Sequence, residues 1–237
     1  MATDETDHSD GAATAGLSRR GLLTGAGVAA TGALAFGAGS GPAVAGESDG
    51  LATGPDGSTV AEFRGRIAQT GTSGQTFASY GFLYAVNGAS GSDLFAGGTP
   101  DVGHALLTVS ATGELAARVF DQAVHALDIV GTMSVYQRTS PGADWSDPSS
   151  FAVGTVVGEF TVTIQDVLTV FAPGRGLPVI AGDMRQTRAR TLGGSLAGQR
   201  FGAKGQRLRM SATGLGSLVD PATFNSLHEI AGNWTAE

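Results

Sequence analysis

From Thr59 onward the chain alternates. Ala61, Phe63, Gly65 and Ile67 are spaced by Glu62, Arg64 and Arg66, the period-two pattern of a half-buried strand. "QTGTSGQ" predicts a turn. Phe77 to Asn87 is apolar on both faces, with Tyr80, Phe82, Tyr84 and Val86 on one side and Phe77, Leu83 and Ala85 on the other. That suits a central strand covered from both directions. Ala105 to Thr112 predicts another strand, and Gly113 a tight turn after it. Glu114 to Ala126 carries both a strand and a helix period, and its strand-like neighbours favour strand. Ile129 to Gln137 predicts a strand with Val130, Thr132, Ser134 and Tyr136 on one face. The strongest β signal runs from Val153 to Phe171, where Val156, Phe160, Val162 and Ile164 alternate with Thr161 and Thr163. Its length calls for a bend, and Gly158 is placed for a bulge. Leu177 to Thr191 and Gln206 to Thr213 follow as strands. The tail predicts a short helical turn around Phe224 to Ile230.

These elements give an all-β domain of about seven to nine strands, closed as a single antiparallel barrel or, alternatively, covered as a β-sandwich. Long strands punctuated by glycine favour the barrel, whose curvature glycines and bulges relieve. In architecture alone the pattern is similar to the barrels of allene oxide cyclases and dirigent proteins. No functional motif of those families aligns here, and fold does not imply function.

Ahead of the strands the pattern is different. Ser18-Arg19-Arg20-Gly21-Leu22-Leu23 opens an uncharged run that continues to about Gly39, followed by Pro42 and Ala43-Val44-Ala45. The run is almost long enough to span a bilayer, which takes roughly 20 apolar residues. It is however crowded with Gly, Ala and Thr, and each Gly costs about 1 kcal/mol in a helix relative to Ala. Small residues around Val44 match a signal-peptidase site. The layout resembles a twin-arginine (Tat) signal peptide of exported bacterial proteins. The resemblance implies passage through the twin-arginine translocase in the folded state, cleavage by signal peptidase, and a secreted or extracytoplasmic location. The expected organisation is a signal peptide over 1–45, a flexible linker over 46–58 and the barrel-like domain over 59–237. The mature part is expected not to span a membrane. Export of a folded chain agrees with the absence of cysteine, since the domain then needs no disulfide to form outside the cell.

The chain has 14 basic and 21 acidic residues. Removing the signal takes away two arginines and four acids and leaves 12 against 17. That mild acidity argues against a nucleic-acid partner, whose phosphates demand a basic surface. Arg185, Arg188, Arg190, Arg200, Lys204, Arg207 and Arg209 cluster late and read as a solvated sheet face.

Candidate chemistry is sparse. His104, His125 and His228 are far apart and lack the spacing of a metal site, so no metal and no cofactor is expected. No G-x-S-x-G turn occurs. Asp144, Trp145 and Asp147 sit in a polar loop, where Trp145 is expected to cover a barrel mouth. Asp166 and Asp183 place carboxylates inside otherwise apolar strands, and Glu159 is similar. The favoured reading places them outside, in cross-strand salt bridges; if they face inward they must be paired or raised in pKa, with Arg185 and Arg188 as partners for Asp183. Together with Tyr80, Tyr84 and Tyr136 they would form a polar end to an apolar pocket. The function these residues suggest is non-catalytic binding of a small apolar or amphipathic ligand. An isomerase or cyclase of the allene-oxide-cyclase or dirigent type is the alternative, and a structural or cell-surface interaction role, with an oligomer possible, is the third.

Overall fold

The computed structural model describes residues 50–220, 222 and 225–237. The arginine pair, the apolar run and the Ala43-Val44-Ala45 motif lie outside the described residues. Eight strands follow in order: β1 (Thr59–Thr70), β2 (Thr76–Val86), β3 (Leu107–Asp121), β4 (Val124–Gln137), β5 (Thr155–Ala172), β6 (Arg175–Ala189), β7 (Arg207–Asp220) and β8 (Asn225–Ala236). Each pairs antiparallel with the next, and β8 pairs back onto β1, closing one barrel. Closure leaves no strand edge open to pair with another chain.

The alternating pattern builds this barrel directly. Phe63, Gly65, Ile67 and Gln69 of β1 point inward, as do Phe160, Val162, Ile164 and Asp166 of β5 and His228, Ile230, Gly232 and Trp234 of β8. Arg64, Glu159 and Asp183 take the opposite phase and face out. The strand pairing shifts register beside Gly158, between Val135 and Tyr136 on β4 and between Glu159 and Phe160 on β5, so the expected bulge lies there. Inward glycines let adjacent strands coil tightly. Gly81 lies opposite Gly65, and a Cβ on Gly81 would collide with the Arg64 carbonyl oxygen.

Three expectations along the chain change, and a fourth, for Trp145, follows below. Gly113 is not a turn; it sits in the middle of β3 opposite Gly131, and the hairpin turns at Gln122 and Ala123 instead. A Cβ on Gly113 would press on Ile129, so this glycine serves strand contact. The tail forms β8 and not a helical turn, with Ser226, His228, Ile230, Gly232 and Trp234 directed inward at every second position. Part of the segment read as a linker is packed: Leu51 is fully buried, bridges to Phe201 and donates its N–H to the Arg200 carbonyl at 2.7 Å.

The two ends of the barrel differ. At one end the β6–β7 connection folds over the opening. Phe201 is fully buried, its carbonyl accepts from Gln186 Nε2 at 2.7 Å, and its ring meets Trp234 edge-on. Leu51, Leu192 and Leu196 complete this cap. The 138–154 loop does not cover a mouth. It lies on the outer wall, where Trp145 and Phe151 pack on Tyr80, and Trp145 also packs on Phe82. Thr108 Oγ1 ties the loop down by donating to the Phe151 carbonyl at 2.8 Å. This explains why β2 is apolar on both faces. Among the described residues no helix is long and apolar enough to cross a membrane.

Candidate functional site

The other end, where the four hairpins turn, is open. A pocket of about 180 Å³ enters the barrel there. Leu127 of β4, Leu168 and Val170 of β5, and Phe120 of β3 form its apolar wall. Gly176 and Gly216 line it on β6 and β7, and Arg118, Arg175, His125 and Leu218 stand near its mouth. The hairpin tips around that mouth are apolar as well: Val119, Phe120, Val124, Phe171, Leu218 and Val219 are each at least 38% exposed. A separate void of about 40 Å³ lies at the barrel centre among Ile67, Met133, Ile164, Met210 and Trp234.

The pocket floor is polar. Gln69, Ser226 and His228 line it, and Asp166 stands behind His228; all four are buried. Adjacent strands bring them together, since β1 pairs Gln69 with Ser226 and Ile67 with His228. Asp166 continues the inward phase of Ile164 on β5. Gly216 gives the imidazole its space: a Cβ there would stand 3.0 Å from the His228 ring.

A backbone carbonyl fixes the direction of the hydrogen bonds. Gln69 Nε2 donates to the Gly74 carbonyl at 2.7 Å, and a carbonyl can only accept. Gln69 Oε1 therefore faces Ser226, whose hydroxyl donates to it at 3.1 Å. With its proton so committed, Ser226 Oγ accepts from His228 Nε2, 3.3 Å away. His228 is thus assigned as the Nε2–H tautomer, and its Nδ1 lone pair faces Asp166 Oδ2 at 3.6 Å.

Burial points the same way. It pushes Asp166 up to about 7 and pulls His228 down to about 4. Each side chain is about 95% removed from solvent, and at 3.6 Å their mutual attraction does not repay the loss of hydration of two charges. Between about pH 4 and 7 the floor is therefore a neutral acid beside a neutral imidazole. Asp166 Oδ1 and His228 Nδ1 have no hydrogen-bond partner within range.

The atoms follow the order of a serine–histidine–aspartate relay, but the wiring runs the other way. A nucleophilic serine gives its proton to the imidazole, which needs a bare Nε2 and an ionised carboxylate on Nδ1. Here Nε2 holds a proton and the serine proton goes to Gln69.

Of the residues that the sequence offered for a ligand site, the structure brings only Asp166 close to the pocket, behind His228. Tyr80 is buried on the outer wall beneath the 138–154 loop. Tyr84 is 40% exposed, and partial burial followed by the adjacent Glu62 carboxylate raises its phenol above the usual range. Tyr136 also faces out, opposite Thr108. Glu159 pairs with Arg188 at 3.2 Å across the outer wall, so Arg188 does not serve Asp183. Asp183 and Arg185 are both on the outer phase of β6, opposite Arg209 and Arg207. The reason is common to all: each stands one residue out of step with an inward neighbour. Gln69 and Ser226 were missed because uncharged polar residues give no signal of their own, and His228 because the tail was read as helix. Among the described residues no three His, Asp or Glu groups are placed to hold a metal ion. The chain gives no significant match to protein-family models, to curated proteins or to solved structures, so the meaning of this pocket rests on its own residues.

Proposed function

We propose that this barrel binds a small amphipathic ligand in the hairpin-end pocket, without catalysis, and that it is exported already folded. One observation carries the binding reading: an apolar-walled pocket of about 180 Å³ ends on the buried polar groups of Gln69, Ser226 and His228 and opens between apolar hairpin tips. Apolar walls with a few convergent polar atoms are the usual build of a small-molecule site. At the capped end the fully buried Phe201 and Leu51 fill the opening.

Val170 tests this placement. It faces the pocket near the mouth and is half-buried. Val170→Trp is expected to fill the pocket and abolish binding of small apolar compounds, while unfolding stability changes by less than about 1.5 kcal/mol. Calorimetric titration with toluene, paired with denaturant unfolding, reads both. Retained toluene binding in a folded Val170→Trp protein would place the ligand elsewhere. Native mass spectrometry of the exported protein would show whether a ligand travels with it.

A second reading, an isomerase or cyclase, draws support from the buried acid–base pair Asp166–His228 beside the pocket. Enzymes that hold a reactive substrate in a shaped cavity need few conspicuous groups. A ligand recovered chemically unchanged after long incubation favours binding alone, and its conversion favours the enzyme.

A further inference from the structure

The valences left open on the pocket floor are specific. Ser226 Oγ gives its proton to Gln69 and accepts one from His228. One lone pair remains on it. The His228 Nε2–H reaches Ser226 only at 3.3 Å, long enough to be shared with a second acceptor. A ligand group that donates to the first and accepts from the second must carry both a proton and a lone pair. A hydroxyl has both. A carboxylate has no proton to give, and it would sit near Asp166 with the arginines Arg118 and Arg175 only at the mouth. An ammonium has no lone pair to accept with.

Size narrows the class further. A cavity of about 150 Å³ is enough to hold benzene, and this pocket measures about 180 Å³. Resting on the binding reading above, we propose that the ligand is an uncharged, single-hydroxyl compound the size of one aromatic ring. Its ring packs against Phe120, Leu127, Leu168 and Leu218, and its hydroxyl bridges Ser226 and His228. The neutral floor agrees with an uncharged head group, because an ion buried there would lose its hydration.

Phenol and toluene test this with near-equal shapes, one with the hydroxyl and one without. Calorimetric titration of the full chain is expected to show both binding, and benzoate at least tenfold weaker than phenol. In Ser226→Ala the phenol affinity is expected to fall about tenfold while toluene stays within about twofold, the size of one hydrogen bond. Toluene binding also reports that the pocket has survived the substitution. Should Ser226→Ala lose both compounds, His228→Gln must show the phenol-selective loss; loss of both there too overturns the proposal. A phenol-to-toluene ratio unchanged in both variants overturns the head-group assignment and leaves the pocket standing. If neither compound binds the wild-type protein, the pocket reading itself fails and the ligand class falls with it. Benzoate binding as tightly as phenol would also overturn the neutral head group.

Discussion

Asp166→Asn and His228→Gln are expected to tilt the dependence of stability on pH in opposite directions. In the wild-type protein this pair contributes no slope between pH 4 and 6.5. Burial raises Asp166 from 3.8 to about 7 and lowers His228 from 6.5 to about 4. In that window the unfolded chain carries its one proton on the histidine, and the folded barrel carries one on the carboxyl. Both states bind the same number of protons, so the slope vanishes. In Asp166→Asn only the histidine remains. The unfolded state then binds a proton that the folded state refuses, and stability rises with pH from about 4 to about 6.5. In His228→Gln only the carboxyl remains. The folded state keeps a proton that the unfolded state has lost, and stability falls as pH rises from about 4 to about 7.

At 1.36 kcal/mol per pKa unit, the tilt amounts to about 3 kcal/mol for the histidine and about 4 kcal/mol for the carboxyl across their windows. Denaturant unfolding at several pH values, with each variant's curve subtracted from that of the wild type, removes the contribution of all other groups. Arg118, His125 and Arg175 stand at the mouth of the same pocket and cancel in the subtraction. Flat difference curves would mean that Asp166 and His228 keep their water. The location of the proton has its own readout. Nitrogen-15 shifts of the His228 ring are expected to show the neutral Nε2–H tautomer between pH 5 and 7; an imidazolium signature would refute the neutral pair, and an Nδ1–H tautomer would refute the wiring from Gly74.

The phase of the strands explains how much of this was legible in the sequence. Phe160, Val162 and Ile164 establish an inward face, and Asp166 is the next position on it, so its burial can be read from spacing alone. By the same count Glu159 falls outside. Tyr136 belongs with Val130, Thr132 and Ser134, a face that turns out to be the outer one, because Met133 and Val135 between them are buried. Tyr80 and Phe82 could not be placed by counting. Their face is apolar because a loop 60 or more residues later in the chain covers it, and no local pattern reveals which wall a loop will cover. The floor of the pocket was hidden for a different reason. Ser226 and His228 put polar groups at inward positions of β8, which erases the alternation that would have marked the strand. A functional site is where a polar residue occupies a core position, so the pattern fails where the chemistry begins. Gly113 misled in the same way: glycine signals a turn in isolation, but across from Gly131 it permits close strand contact.

Trp234→Ala is expected to be the most destabilising substitution of those considered, by about 3–5 kcal/mol. Trp234 is 1% exposed, and its ring centroid lies 6.1 Å from Phe63, 5.9 Å from Phe160 and 6.4 Å from Phe201. It borders the central void on one side and holds the ring of the capping Phe201 on the other. Truncation would merge a new cavity with an existing one, and closed, hydrogen-bonded strands cannot collapse to fill it. Trp234→Phe separates volume from ring contact. It keeps an aromatic face for Phe63 and Phe160, and it also removes the indole N–H, which has no acceptor in the barrel; an unpaired buried donor costs about 1–3 kcal/mol. The Phe variant is therefore expected to lose less than half of what the Ala variant loses. Denaturant midpoints measure both, and a loss under 1 kcal/mol in Trp234→Ala would show that the barrel centre is not packed as described. Added indole provides the decisive control. The space left by Trp234 is apolar and enclosed, so indole is expected to raise the midpoint of Trp234→Ala by more than that of Trp234→Phe. In Trp234→Ala carrying Val170→Trp, the rescue must persist, because the filled pocket and the new cavity lie at different depths of the barrel. Its disappearance would mean that the hairpin-end pocket is the route by which the barrel centre is reached.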